Sequence, residues 1–161
     1  MARVYLETSF VSACVTDRKD AGSVYRREKS LEWWALQAQR YEICVSNEVI
    51  AELSEPGFRQ RERALKFIQE LPILNVTPEV LDLARILIKE KVMPGPLKGD
   101  AVHVAMCAEL GIEYLLSWNV RHLANPNKVV HLREICARQG FVATQIATPD
   151  SLWEEHNETK E

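Results

Sequence analysis

Short apolar runs alternate with capped, helix-forming stretches along the whole chain, and this alternation leaves few folds open. Val4-Tyr5-Leu6, Glu42-Ile43-Cys44-Val45, Ile73-Leu74-Asn75-Val76 and residues 113–117 each read as a buried strand, and residues 141–146 hold a last one. Between them lie segments that open on cap residues. Thr8-Ser9 precedes a short helix, and Ser23 opens one running to about residue 40 with Leu31, Trp34, Ala35 and Ala38 on one stripe. Ser46 caps a helix that ends at the Pro56-Gly57 break, and residues 59–70 form a charged amphipathic helix. Thr77-Pro78 places a cap and a first-turn proline before a helix to about residue 91. Residues 100–110 are helical and stop at Gly111; residues 119–124 form a short helix or turn, residues 128–139 a longer helix, and Thr148-Pro149-Asp150 a final turn. Side-chain oxygens at the cap satisfy otherwise unpaired N–H groups of the first turn, and proline fits there because its missing N–H is not needed. Strand–helix alternation predicts an α/β fold, a three-layer α/β/α sandwich around a mostly parallel sheet, because parallel neighbours need a crossover and a helix supplies it.

At 161 residues the chain fits a single domain over residues 1–155, with residues 156–161 as a frayed polar tail. No apolar stretch reaches the length of a membrane span, and the start of the chain has too short an apolar run for a signal peptide, so a cytoplasmic protein is expected. Cys14, Cys44, Cys107 and Cys136 are widely spaced in apolar contexts and read as reduced, buried thiols. A net charge of −3 argues against a general polyanion binder but leaves room for a nucleic-acid enzyme with a locally acidic centre.

Four separated segments each deliver an oxygen donor next to a strand end or helix start: Glu7, Glu52, Asp100 and Asn119. Gathered carboxylates repel one another, so a fold that collects them neutralises them with a cation. Hard oxygen donors select Mg²⁺ or Mn²⁺. In an open parallel sheet, ligands bind beyond the carboxyl ends of the strands, where a single cleft accommodates all four. Glu48, Glu52 and Glu55 share one helical face, and Glu52 is preferred because Val49, Ile50 and Leu53 place it at the edge of the buried stripe. Asp100 is also an apt N-cap for its helix, and Asn119 an apt turn residue. His103 lies outside the metal set, as a packed or solvated residue. Trp33 and Trp34 suit a core or an interface, and their stripe motivates a homodimer. Arg18, Lys19, Arg26, Arg27, Lys98 and Arg121 flank the acidic segments and are available to phosphate. No G-x-S-x-G, P-loop or dinucleotide-binding motif competes.

At these residues the chain resembles the PIN-domain ribonucleases, including the VapC-type toxins of toxin–antitoxin pairs. Tyr5-Leu6-Glu7-Thr8-Ser9 is similar to a first motif that ends in Asp-Thr-Ser, and Glu52-Leu53 to a second motif of glutamate and leucine on a helix. Gly99-Asp100-Ala101 is similar to an aspartate opening an apolar helix, and Ser117-Trp118-Asn119 to a fourth motif that usually carries aspartate. The similarity in order and spacing spans residues 4–153. It departs at Glu7, where the family mostly has aspartate, and at Asn119, a neutral amide. The resemblance implies an Mg²⁺- or Mn²⁺-dependent endoribonuclease with Glu7, Glu52, Asp100 and Asn119 as its metal and catalytic residues. It also implies RNA as substrate and a cognate antitoxin as partner. The amide at Asn119 supports a second expectation, a degenerate PIN-like module that binds RNA or a protein without cleaving.

Overall fold

The computed structural model describes residues 1–123 and 125–155. Five strands, β1 (Arg3–Leu6), β2 (Glu42–Ser46), β3 (Ile73–Leu74), β4 (Tyr114–Leu116) and β5 (Gln145–Ala147), form one sheet in the order β3-β2-β1-β4-β5. Every pairing is parallel, with Val4 opposite Ile43 on one side of β1 and Tyr5 opposite Leu115 on the other. The helices are α1 (Thr8–Val15), α2 (Ala21–Leu36), α3 (Asn47–Leu53), α4 (Arg61–Ile68), α5 (Pro78–Lys89), α6 (Asp100–Leu110), α7 (Val120–Leu123) and α8 (Pro126–Arg138).

Right-handed crossovers dictate the layers. The chain moves outward from β1 through β2 to β3, then returns past β1 to β4 and β5, so the two sets of connections lie on opposite faces. The packing agrees: α1 contacts α2, α3 and α4, while α5 contacts α6. Central strand β1 is covered on both faces, and Val4, Tyr5 and Leu6 are all 0% exposed. Helix α6 is buried along nearly its whole circumference from Ala101 to Ala108, as its continuous apolar composition requires.

Local signals place most boundaries. The Ser46 side chain accepts from the Val49 amide, and Thr77 from the Val80 amide with Pro78 in the first turn. Gly111 ends α6 in the left-handed region, at φ 65°. Helix α8 starts earlier than expected because Asn125 caps it and Pro126 occupies the first turn.

The buried face of α2 differs from the expected stripe. Ser23, Ser30 and Trp33 point inward, whereas Leu31 is 42% exposed. The reason is long-range. Trp33 donates its indole N–H to the Leu152 carbonyl at 2.7 Å, Gln37 exchanges hydrogen bonds with the Glu154 backbone, and Trp118 donates to Ser30 Oγ at 2.8 Å. The four cysteines are free and buried, and burial pushes each thiol upward, to about 11 for Cys44, so the thiolate is disfavoured. The expected frayed tail, residues 156–161, lies outside the described residues. Among the described residues no helix is long and apolar enough to cross a membrane.

Candidate functional site

The carboxyl ends of β1 and β4 adjoin, and Glu7 stands at that junction. Its amide donates to the Leu116 carbonyl at 3.0 Å, which extends the β1–β4 ladder by one residue. Its carboxylate is buried and caps α1, so the cap is Glu7 itself rather than the expected Thr8-Ser9. Oε2 accepts from the Ser9 amide at 2.8 Å, from Ser117 Oγ at 2.9 Å and from Ser9 Oγ. Ser9 Oγ in turn accepts from the Trp118 amide, and Ser117 Oγ from the Asn119 amide, both at 2.9 Å. Two serine hydroxyls therefore tie the loop after β4 to the acid after β1. Burial raises the Glu7 carboxyl above its ordinary value, while the His103 charge and these donors counter the rise in part.

Glu52 reaches the same region from α3 and is half-buried. Its Oε1 accepts from Thr8 Oγ1 at 2.9 Å and pairs with His103 Nε2. His103 is 0% exposed, and its Nδ1 lies 2.6 Å from the Tyr5 hydroxyl, itself 2.6 Å from Ser46 Oγ. The result is a hydrogen-bonded chain, Ser46–Tyr5–His103–Glu52–Thr8, across β2, β1, α6, α3 and α1, buried at Ser46, Tyr5 and His103 and half-buried at Glu52 and Thr8. Burial opposes both charges. Even so, the mutual hydrogen bond and attraction depress the Glu52 carboxyl, and the surrounding Glu52, Glu7 and Glu48 hold the imidazole above its ordinary value. With both ring nitrogens protonated, Nε2–H donates to Glu52, Nδ1–H to the Tyr5 oxygen and Tyr5 O–H to Ser46, so every polar atom of the ring is matched. His103 is the packed residue the sequence allows for, but its partners Glu52 and Tyr5 come from other elements and are not legible in its own helix. One signal was present: a single histidine inside an otherwise apolar helix must find a buried partner.

Asp100 is the first residue of α6, not its N-cap. That position falls to Gly99, with φ 64° and ψ −128°. A side chain is strained in this backbone region, and glycine is not. The Gly99 amide donates to Glu48 Oε1 at 2.8 Å, so Glu48 anchors the loop that presents Asp100. Freed from capping, the Asp100 carboxylate is half-buried and faces Asn119, whose Nδ2 donates to both its oxygens at 3.2 and 3.3 Å. Burial raises the Asp100 carboxyl first, with nearby Glu52 adding to the rise. His103, His122 and the Asn119 hydrogen bond oppose it. Glu7, Glu52 and Asp100 thus all sense the one imidazole of His103, and Asn119 closes the group on the Asp100 side. Glu55 is exposed.

Among the described residues no three His, Cys, Asp or Glu side chains are drawn together into a ready-made metal site. The donor chemistry nonetheless fits a hard divalent ion, since Glu7, Glu52, Asp100 and the Asn119 amide offer only oxygen ligands. The raised carboxyl groups of Glu7 and Asp100 mark negative charge that burial leaves poorly compensated.

No family model and no curated protein matches the chain. Solved structures do. VapC20 of Mycobacterium tuberculosis, a sarcin-ricin loop cleaving toxin, aligns with a TM-score of 0.58 at 20% identity, over 75% of this chain and 93% of that one. VapBC2 of Rickettsia felis, solved with a DNA fragment from its promoter, aligns at 0.58 and 15%, over 91% of this chain and 98% of that one. VapBC-1 of nontypeable Haemophilus influenzae aligns at 0.57 and 13%, over 92% and 98%. At these identities the likeness is one of fold: the chain has the PIN-like fold of the VapC toxins.

Proposed function

We propose that the chain is a divalent-metal-dependent endoribonuclease that hydrolyses RNA phosphodiester bonds as the toxin of a toxin–antitoxin pair. The observation that carries this reading is that Glu7, Glu52 and Asp100 are all electrostatically coupled to buried His103, with Glu52 in direct contact with it, in a fold shared with VapC toxins. Glu7, Glu52, Asp100 and Asn119 are the residues that would hold Mg²⁺ or Mn²⁺. When bound, the ion supplies Lewis-acid activation of the attacking water and stabilises charge developing on the phosphate.

The chain's own residues supply the rest. Ser9 and Ser117 lock the Glu7 carboxylate in one orientation, and His103 does the same for Glu52. Asp100 opens α6 half-buried, bonded to Asn119 and with a carboxyl raised by burial, and is the member assigned to accept the proton of the attacking water. Asn119 orients Asp100. Single-stranded or looped RNA is the substrate class, because the scissile bond has to enter a cleft. A cognate antitoxin would bind the protein and cover this cleft, and both would act in the cytoplasm.

The test is pure protein with an end-labelled RNA, titrated with Mg²⁺ or Mn²⁺. Cleavage that appears with the metal and vanishes with chelator supports the reading. Its absence at every metal concentration, with the protein folded, supports the second reading, a PIN-like module that binds without cleaving. The observation favouring that alternative is the Asn119 amide group, which sits against Asp100 and adds no negative charge to the site.

A further inference from the structure

Beside the acidic group lies a pocket of about 360 Å³ whose character is opposite to the rest of the chain. The protein carries a net charge of −3, yet the pocket is lined by Arg18, Arg26 and Arg59 against the one carboxylate of Asp17. Arg59 pairs with Asp17 at 2.9 Å, whereas Arg18 and Arg26 are exposed and form no ion pair among the described residues. Aromatic rings from Phe58 and Trp118 also line it. The Trp118 ring is fixed by its N–H bond to Ser30 and by an edge-on contact with Tyr25, ring centroids 6.3 Å apart. One wall is a face of α1, where Ser9, Ser12 and Ala13 recur at helical spacing and the C-cap Thr16 follows, all with side chains small enough to leave space.

None of the four oxygen donors lines the pocket, but two of its residues touch their neighbourhood. Ser9 both lines it and holds Glu7, and Trp118 precedes Asn119 with its amide on Ser9 Oγ. Free guanidinium groups recognise phosphate, aromatic faces stack bases, and a volume in the range of roughly 300–1,000 Å³ typical of ligand sites admits a nucleotide.

We infer that this pocket is a subsite for one unpaired nucleotide of an RNA strand adjacent to the scissile phosphate. Arg18 and Arg26 hold its backbone phosphate, and Phe58 and Trp118 hold its base. The inference rests on the nuclease reading for the word adjacent, but binding is measurable without cleavage. A duplex keeps its bases stacked and cannot place one in the pocket, so the subsite selects single strands.

The experiment uses the full chain in chelator with a fluorescein-labelled single-stranded RNA of roughly ten nucleotides, long enough to cross one binding groove. A second copy of the RNA carries 2-aminopurine. Arg18→Ala with Arg26→Ala is expected to weaken binding roughly tenfold or more and to reduce the slope of log affinity against log salt by about 2. Phe58→Leu is expected to weaken binding severalfold and to restore 2-aminopurine fluorescence, while Trp118→Phe, which keeps a ring, retains the quenching. Lys128→Ala and Arg133→Ala on α8 should bind as the parent does. Circular dichroism confirms that each variant is folded.

Unchanged affinity in the double arginine variant overturns the subsite, as does equal binding of duplex and single strand. Failure of the parent to bind or quench the RNA, the outcome expected if the pocket instead takes a protein partner's side chain, also overturns it. A parent that binds with these signatures yet never cleaves in Mg²⁺ supports the subsite and sinks only the nuclease reading. A parent that cleaves while the arginine variants bind unchanged sinks only the subsite.

Discussion

Replacing His103 by leucine isolates the hydrogen-bonded chain that positions Glu52. Leucine fills a similar volume on α6, so the perturbation is loss of polar partners rather than a cavity. Two bonds disappear. The pair with ionised Glu52 is a charge-assisted hydrogen bond, worth roughly 1.5–3 kcal/mol, and the bond to the Tyr5 hydroxyl is worth roughly 1 kcal/mol. The Tyr5 hydroxyl keeps Ser46, and the Glu52 side chain is 31% exposed and can recover water, so the sum is discounted to about 2–3 kcal/mol. For a chain of this length each kcal/mol moves Tm by roughly 2–4 °C, which gives a fall of about 4–12 °C. Thermal denaturation in chelator measures it.

The effect also has a pH signature. A histidine whose folded pKa is raised stabilises the fold fully below its unfolded value, and the contribution is lost as pH rises through the folded pKa. Glu52 is shifted the other way: its contribution is present above the unfolded carboxyl value and is lost as pH falls through the depressed folded one. The Tm gap between parent and His103→Leu should therefore be widest in mildly acid solution, between the unfolded Glu and His values of about 4.3 and 6.5, and narrow above the raised folded value of His103. A variant that melts within about 2 °C of the parent across this range would refute the reasoning, since loss of a buried ion-paired bond cannot be silent. RNA cleavage supplies the functional counterpart. The cleavage rate should drop while affinity for RNA in chelator stays the same, because Glu52 is released rather than the RNA surface altered.

Asp100→Asn should abolish metal-stimulated cleavage and leave the fold intact, because Asp100 does not cap α6; full activity in that variant would remove it from the site. Asn119→Asp replaces a donor by a charge beside Asp100, so its Tm in chelator should fall below the parent's and recover when Mg²⁺ is added; a Tm indifferent to both changes would place Asn119 outside any metal shell. Gly99→Ala meets no atom within 4 Å and still forces a side chain into φ 64°, so it should cost about 1–3 kcal/mol, or roughly 2–12 °C in Tm, by differential scanning calorimetry. Leu31 and Leu36 lie exposed on α2, at 42% and 52%, and the homodimer expected from this helix should give twice the chain mass in light scattering at high micromolar concentration; monomer alone would count against it.

The features legible in the sequence are those whose cause lies within a few residues. Ser46 reaches the Val49 amide, Thr77 the Val80 amide, and Gly111 tolerates its own left-handed backbone, so strands and helix ends could be read from composition and spacing. Where a competing partner came from afar, the local reading failed. Thr8-Ser9 looks like a cap, but Ser117 and Trp118, more than a hundred positions away, draw Ser9 into a lattice in which Glu7 does the capping. The apolar stripe on α2 points to Leu31, but Trp33 turns inward because the Leu152 carbonyl waits for its N–H.

By itself, then, the sequence determined the α/β class and the strand–helix order, because periodicity and caps are local properties, and it nominated Glu7, Glu52, Asp100 and Asn119 as candidate oxygen donors. Only the tertiary structure decided that β1 lies between β2 and β4, that Glu48 anchors Gly99 while Glu52 meets His103, and that arginines from α2 and two loops share a pocket with Trp118. Those outcomes depend on which distant segments the parallel sheet brings side by side. A histidine's partner, and hence its charge, is set by burial and neighbours that no stretch of sequence around it contains.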